Sequence, residues 1–216
     1  MRVNGSRALL IQPGDINYGP NLIGGHSGNS VSAGAVGATI GGGGANGQIN
    51  SVTSNYGAVG GGKGNSASAW GAVSGGYGNT ASGEYATVSG GAFNTASESN
   101  ATVGGGYDHT ASGFSATVPG GEGNTASGSY SFAAGRQAKA IHDGAFVWAD
   151  NQASDWSSSA ANTFKVRAQN GAWIQANNTN YASVIDNDGN GDGLRAYTAS
   201  SQGNNFGAAF IRVSSQ

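Results

Sequence analysis

From Val59 to about residue 146 the sequence repeats itself every 14 or 15 residues, and a repeat that short leaves few folds open. One apolar position recurs at Val59, Val73, Val88, Val103 and Val118 and is continued at Phe132 and Phe146. Eight residues after the first six of these stand Ala67, Ala81, Ala96, Ala111, Ala126 and Ala140; six residues after them stand Asn65, Asn79, Asn94, His109, Asn124 and Ala138. Glycine pairs follow each of the five valines, as at Gly75-Gly76 and Gly90-Gly91, with Ala134-Gly135 after Phe132, and looser copies open at Ile23 and Ile40.

A unit of this size is too small for a helical repeat, which needs about 33 residues or more, and no segment has a 3.6-residue apolar period. Within one unit, Tyr85-Ala86-Thr87-Val88 and Asn79-Thr80-Ala81-Ser82 alternate with period 2. That places Ala86, Val88, Asn79 and Ala81 on one face and Thr80, Ser82, Tyr85 and Thr87 on the other. Two short strands and two turns make one coil of a β-solenoid, with glycine at turn positions of positive φ. Stacked coils, about 4.8 Å apart, then place Val on Val, Ala on Ala and Asn on Asn. The inward Asn65, Asn79, Asn94 and Asn124 form a structural amide ladder that satisfies turn backbone groups; His109 and Ala138 interrupt it.

Composition makes sense only under this register. Of 216 residues, 41 are Gly, 27 Ser and 3 Pro, about a third of the chain and a share typical of low complexity. Charged residues are only 9%, with net charge −2, so the charge that keeps disordered chains open is missing. No apolar run approaches the length of a membrane span. Zero cysteine excludes disulfide scaffolds and thiolate sites. Nine scattered Lys and Arg do not make a nucleic-acid surface. Residues 1–16 hold too short an apolar stretch for a signal peptide, so the expectation is a removed signal or an excised fragment. One Val and a few Ala per coil form a thin core, which predicts that a further face is buried between chains, as in a homo-oligomer.

The unit Ala-Thr-Val-Ser-Gly-Gly…Asn-Thr-Ala-Ser-Gly resembles the head repeat of YadA-like trimeric autotransporter adhesins. The stretch Ser129-Tyr-Ser-Phe-Ala-Ala-Gly-Arg-Gln-Ala-Lys-Ala, with Gly144-Ala-Phe-Val-Trp-Ala-Asp150, resembles the close of such arrays in bacterial surface proteins. The resemblance covers roughly residues 20–150. It implies a left-handed parallel β-roll of 14–15-residue coils, three rolls around a common axis, and an extracellular or cell-surface location. The chain departs from the family in its more frequent Gly pairs, and neither a coiled-coil stalk nor an anchor is expected within its 216 residues. Similar repeats also occur in phage tail fibres.

The expected organisation is therefore an all-β chain with a lead-in or cap over 1–22, β-roll repeats over 23–146 and an aromatic-rich C-terminal β region over 147–216. Ala8-Leu9-Leu10-Ile11 suits a cap over the first coil, whose open edge would otherwise invite strand addition. Trp148, Trp156, Trp173, Phe146 and Phe164 gather in the C-terminal region, as core, as inter-subunit contacts or as a carbohydrate platform. Phe164-Lys165-Val166-Arg167 and Ala172-Trp173-Ile174 read as strands around an Asn170-Gly171 turn; Gly193–Tyr197 and Ala208–Val213 read as two more. Asp186-Asn-Asp188-Gly-Asn190-Gly-Asp192 resembles the start of a calcium loop, but Tyr197 stands where the twelfth-position carboxylate belongs, so an Asx/Gly turn is preferred.

Catalytic readings fare badly. His26, His109 and His142 lie far apart, and no phosphate or dinucleotide loop is present. The expectation is no enzyme activity, no cofactor and no metal. Function is expected in a structural or adhesive module with a host surface, matrix or glycan as possible ligand. A phage tail-fibre receptor-binding module is the alternative. A third is ice binding through the outward ladder of Thr80-Ala-Ser82, Thr95-Ala-Ser97, Thr110-Ala-Ser112 and Thr125-Ala-Ser127.

Overall fold

The computed structural model describes residues 1–3, 5–14 and 17–170. Among these the chain is all-β without helix, a parallel β-solenoid of about 10 turns. From Ala58–Val59 to Thr125–Ala126 each coil contributes a two-residue strand, such as Ala72–Val73 and Thr80–Ala81, to each of two sheets; in the next coil Phe132–Arg136 and Ala138–Ala140 are longer. Short strands suffice because every one is paired above and below: Ala72–Val73 lies between Ala58–Val59 and Thr87–Val88, and Thr80–Ala81 between Ser66–Ala67 and Thr95–Ala96. The valine-bearing sheet runs in parallel from Asn21–Gly24 to Phe164–Arg167, and the alanine-bearing sheet from Ser30–Val31 to Trp156–Ser157.

Alternation sets the faces. Val and Ala side chains point between the sheets, and the core is a column of Ile23, Ile40, Val59, Val73, Val88, Val103 and Val118 set against Ala67, Ala81, Ala96, Ala111 and Ala126, each at most 1% exposed. The turns permit close stacking only without side chains. At Gly76, φ is +92° and a Cβ would run into the Gly91 carbonyl of the next coil.

The two ends differ. Leu9–Gln12 pairs antiparallel with Asn21–Gly24 and covers the first edge of the valine-bearing sheet, with Leu10 packed against the core. At the other end Phe146–Ala149 and Phe164–Arg167 extend the same sheet in parallel register. Phe164–Arg167 is thus a further coil of the stack. Its Lys165 takes the position next to Val147, and the Lys165 and Arg167 cations lie 4.4 and 5.6 Å from the Trp156 ring. The two cations lie over the indole within cation–π range.

One part of the register differs from the sequence reading. Phe132 pairs with Thr117, not Val118, and Phe146 pairs with Phe132. Both rings therefore sit on the outer face, while Ala133 and Val147 fill the interior at 0% exposure. The cause is volume: a coil interior built for Val and Ala has no room for a phenyl ring, whereas stacked outer positions do.

Candidate functional site

The polar interior is the most ordered chemical feature. Asn79 Nδ2 donates to the Gly75 carbonyl of its own turn (2.9 Å) and to the Gly91 carbonyl of the next coil (2.9 Å). Its Oδ1 accepts the Asn94 backbone N–H at 3.0 Å. Asn65, Asn94 and Asn124 repeat the pattern, and Asn29 and Asn50 carry it towards the N-terminal end. Each amide spends both donors and one acceptor on the backbone, and each is buried. That leaves the ladder no free polar group for a ligand. His109 keeps the acceptor role, since Nδ1 takes the Asn124 N–H at 3.0 Å, but Nε2 faces the Gly121 carbonyl without a formed hydrogen bond. Burial, the largest influence, holds its pKa below the usual imidazole value. At Ala138 the ladder ends: its N–H donates to Asn124 Oδ1 at 2.9 Å, and no amide follows.

The outer faces carry regular columns. On the alanine-bearing sheet stand Ser51, Ser66, Thr80, Thr95, Thr110 and Thr125, followed by Lys139. On the valine-bearing sheet stand Ala58, Ala72, Thr87, Thr102 and Thr117, followed by Phe132, Phe146 and Phe164. The three phenyl rings stack face to face at 4.8 Å, tilted by 4° and 19°.

One turn ridge holds residues in the left-handed region, one per coil: Tyr56 (φ 57°), Trp70 (50°), Tyr85 (59°), Asn100 (60°), Ser115 (53°) and Tyr130 (58°). Asn is at ease there; a bulky aromatic is not. Stacking offsets the strain, because Tyr56, Trp70 and Tyr85 form a continuous pile at 5.6 and 5.4 Å. Tyr56 and Trp70, and Trp70 and Tyr85, turn faces to one another. The opposite ridge carries Lys63, Tyr77, Phe93 and Tyr107, with Tyr77 and Phe93 packed edge-to-face at 4.9 Å.

Downstream of that ridge lies a hollow of ≈ 550 Å³ lined by Gly121, Glu122, Gly135, Arg136, Trp148, Ala149, Asp150 and Asn151. It has a simple origin. Trp148 stands outward beside Ala134, and the glycines next to Ala134 leave the floor bare, so the indole forms a wall over it. Glu122 and Arg136 pair at 3.3 Å across neighbouring coils, and Arg136 Nη1 donates to the Asn151 carbonyl at 3.1 Å. No short-range pattern announces this site, because its parts come from three successive coils.

The histidines stay apart, as their spacing implies. His26 bonds to Asn46 (3.0 Å) and His142 to Ser158 (2.8 Å). Asp143 Oδ1 accepts the Ser129 N–H at 2.7 Å. Among the described residues no group of three or more His, Cys, Asp and Glu side chains gathers to hold a metal, and no helix is long and apolar enough to cross a membrane. The calcium-like stretch Asp186–Asp192, Trp173 and the strands expected at 172–174, 193–197 and 208–213 lie outside the described residues. No family model and no curated protein matches this chain.

Proposed function

We propose that the chain is a non-enzymatic structural and adhesive module of a bacterial extracellular surface protein, a left-handed β-roll that works as a homotrimer and acts through its surface. The supporting observation is the outer column of the valine-bearing sheet. From Ala58 through Thr117 to Phe164 it carries small or aromatic side chains and no charge. Charged side chains are placed on the turn ridges instead, at Lys63, Glu84, Glu98 and Asp108, or beside the column on the short strand Gly121–Glu122. A flat, regular, uncharged face over a core of Val and Ala suits close packing against copies of itself, and the three stacked phenyl rings supply the apolar area that the coils lack.

Light scattering on the purified chain tests the reading. The expected mass is three times 21.2 kDa, and Thr102→Arg on the valine-bearing sheet lowers it while Thr110→Arg on the alanine-bearing sheet does not. A stable, folded monomer overturns the trimer.

A further inference from the structure

We infer that the hollow beside Trp148 is a binding subsite for an uncharged saccharide. This rests on the reading of the chain as a module acting through its surface, and it names the ligand class.

Three features carry it. First, Trp148 is a large aromatic left 38% exposed on a strand whose neighbours at the same level, Ala134 and Val166, are smaller. The glycine floor exists for a different reason: Gly121 and Gly135 have φ of +105° and +94°, and a Cβ at either would strike a carbonyl of the next coil. Backbone stacking thus keeps the space beside the indole clear, and any substitution that filled it would disrupt the fold. Second, the rim is polar. Side chains of Glu122 and Arg136 are 51% and 38% exposed. Their single contact at 3.3 Å leaves carboxylate lone pairs and guanidinium N–H groups free to meet hydroxyls, and the backbone of Asn151 is drawn to the same rim by Arg136. Third, the charges balance. Glu122 is matched by Arg136, and Asp150 by Arg167 at 2.8 Å.

A concave site with one apolar wall and a few convergent polar groups is the usual form of a small-molecule pocket. Its combination here selects the ligand. A pyranose has a C–H face for the indole and a hydroxyl edge able to donate to Glu122 and accept from Arg136. A purely apolar partner would bury this ion pair at a cost, and an anionic sugar would gain nothing from a rim whose charge is already neutral. In the pile of Tyr56, Trp70 and Tyr85, by contrast, the facing ring surfaces are taken up by one another.

The test is a titration of the full chain, followed through the four tryptophan indole N–H signals, with maltotriose, cellotriose and N-acetylchitotriose at millimolar concentration. The expected result is a saturable shift of the Trp148 signal with at least one of the three. Trp148→Ala abolishes the accompanying shifts of the Glu122, Arg136 and Asn151 amide signals, with the Val147 and Ala149 amide signals showing that the strand is retained, and Arg136→Gln weakens binding about tenfold through the lost charged donors. The inference is overturned if none of the three moves the Trp148 signal. It is also overturned if binding survives Trp148→Ala, or if the indole resists a soluble quencher because a second copy covers it. Light scattering on the same sample separates the two readings: a trimer that ignores all three sugars removes the subsite alone, and a monomer that binds one removes the trimer alone.

Discussion

The Asn124 backbone N–H donates to Nδ1 of the fully buried His109 ring at 3.0 Å, so this imidazole is held neutral with its proton on Nε2. At Asn65, Asn79, Asn94 and Asn124 the same place is taken by an amide that also donates to two turn carbonyls; here Nε2 is left without a formed bond. Burial lowers the ring's pKa, with Lys139 acting in the same direction and the Gly121 carbonyl and Asp108 opposing. The folded chain therefore resists a proton that the unfolded chain accepts near pH 6.5. Stability is fully present above that value and declines as pH falls below it, by no more than about 1.4 kcal/mol per pH unit for one group. His109→Asn restores both donors, towards Gly105 and Gly121. It is expected to gain about 1 kcal/mol at neutral pH and to flatten the dependence between pH 7 and 5. Urea unfolding at several pH values checks this; parallel curves for the two proteins would show that His109 is not the source.

Asn79 illustrates what one rung carries. Asn79→Ala strips a donor from the Gly75 and Gly91 carbonyls and an acceptor from the Asn94 N–H, all in the interior. Leaving buried groups unpaired costs about 1–3 kcal/mol each, so a loss of at least ~3 kcal/mol is expected. Asn79→Asp keeps the acceptor but turns a carboxylate towards two carbonyls, and should be worse at neutral pH than in acid. Denaturant midpoints of the two variants at pH 7 and pH 4 give the ordering.

Much of this was legible in the sequence, for a physical reason. A parallel stack forces identical positions into one column, so the spacing of Val88, Val103 and Val118 is also their contact pattern. The outward turn of Thr80 and Thr87 follows from strand alternation alone. Phe132 and Phe146 were less transparent, since an apolar residue near the expected interval reads as core. The interior's volume decides otherwise and moves them outside, with Ser131 taking the buried place equivalent to Ala116. The left-handed Tyr56, Trp70 and Tyr85 run against local propensity and are explained only by ring stacking across coils. The hollow at Trp148 depends on Glu122, Arg136 and Asn151 meeting across coils, which no spacing within one repeat reveals.

The left-handed ridge yields a paired prediction. Trp70→Gly relieves strain at φ 50° but removes the central ring of a three-ring stack. Two aromatic contacts at about 0.5–1.5 kcal/mol each outweigh the relief, so stability should fall. Ser115→Gly relieves the same conformation at φ 53° where no ring stacks, and should raise stability by about 0.5 kcal/mol. Thermal melts that moved both variants in the same direction would contradict the balance of strain and stacking.

At the C-terminal end, Asp150 binds Arg167 Nε at 2.8 Å and accepts the Gln169 N–H at 2.8 Å. Desolvation pushes the Asp150 pKa up, but the Arg167, Gln169 and Gln152 hydrogen bonds together hold it below the ordinary value. The pH dependence has the same sign as for the histidine, since folding lowers both pKa values, but here hydrogen bonds favour the charged form instead of burial penalising it, and the range is lower. A carboxylate favoured by folding contributes stability above its unfolded pKa of about 3.8, lost as pH falls through the folded value. The coil held by Asp150 and Arg167 should therefore open in strong acid, after the His109 coil has weakened in milder acid. Hydrogen exchange at Gln169 and Asp150, whose N–H donates to the Arg167 carbonyl at 3.1 Å, should accelerate below about pH 4 relative to the array amides. Asp150→Asn should show that acceleration already at pH 7, because the neutral amide no longer holds the guanidinium. If exchange at both sites instead tracked the transition near pH 6.5, this coil would be coupled to His109 rather than secured by its own ion pair.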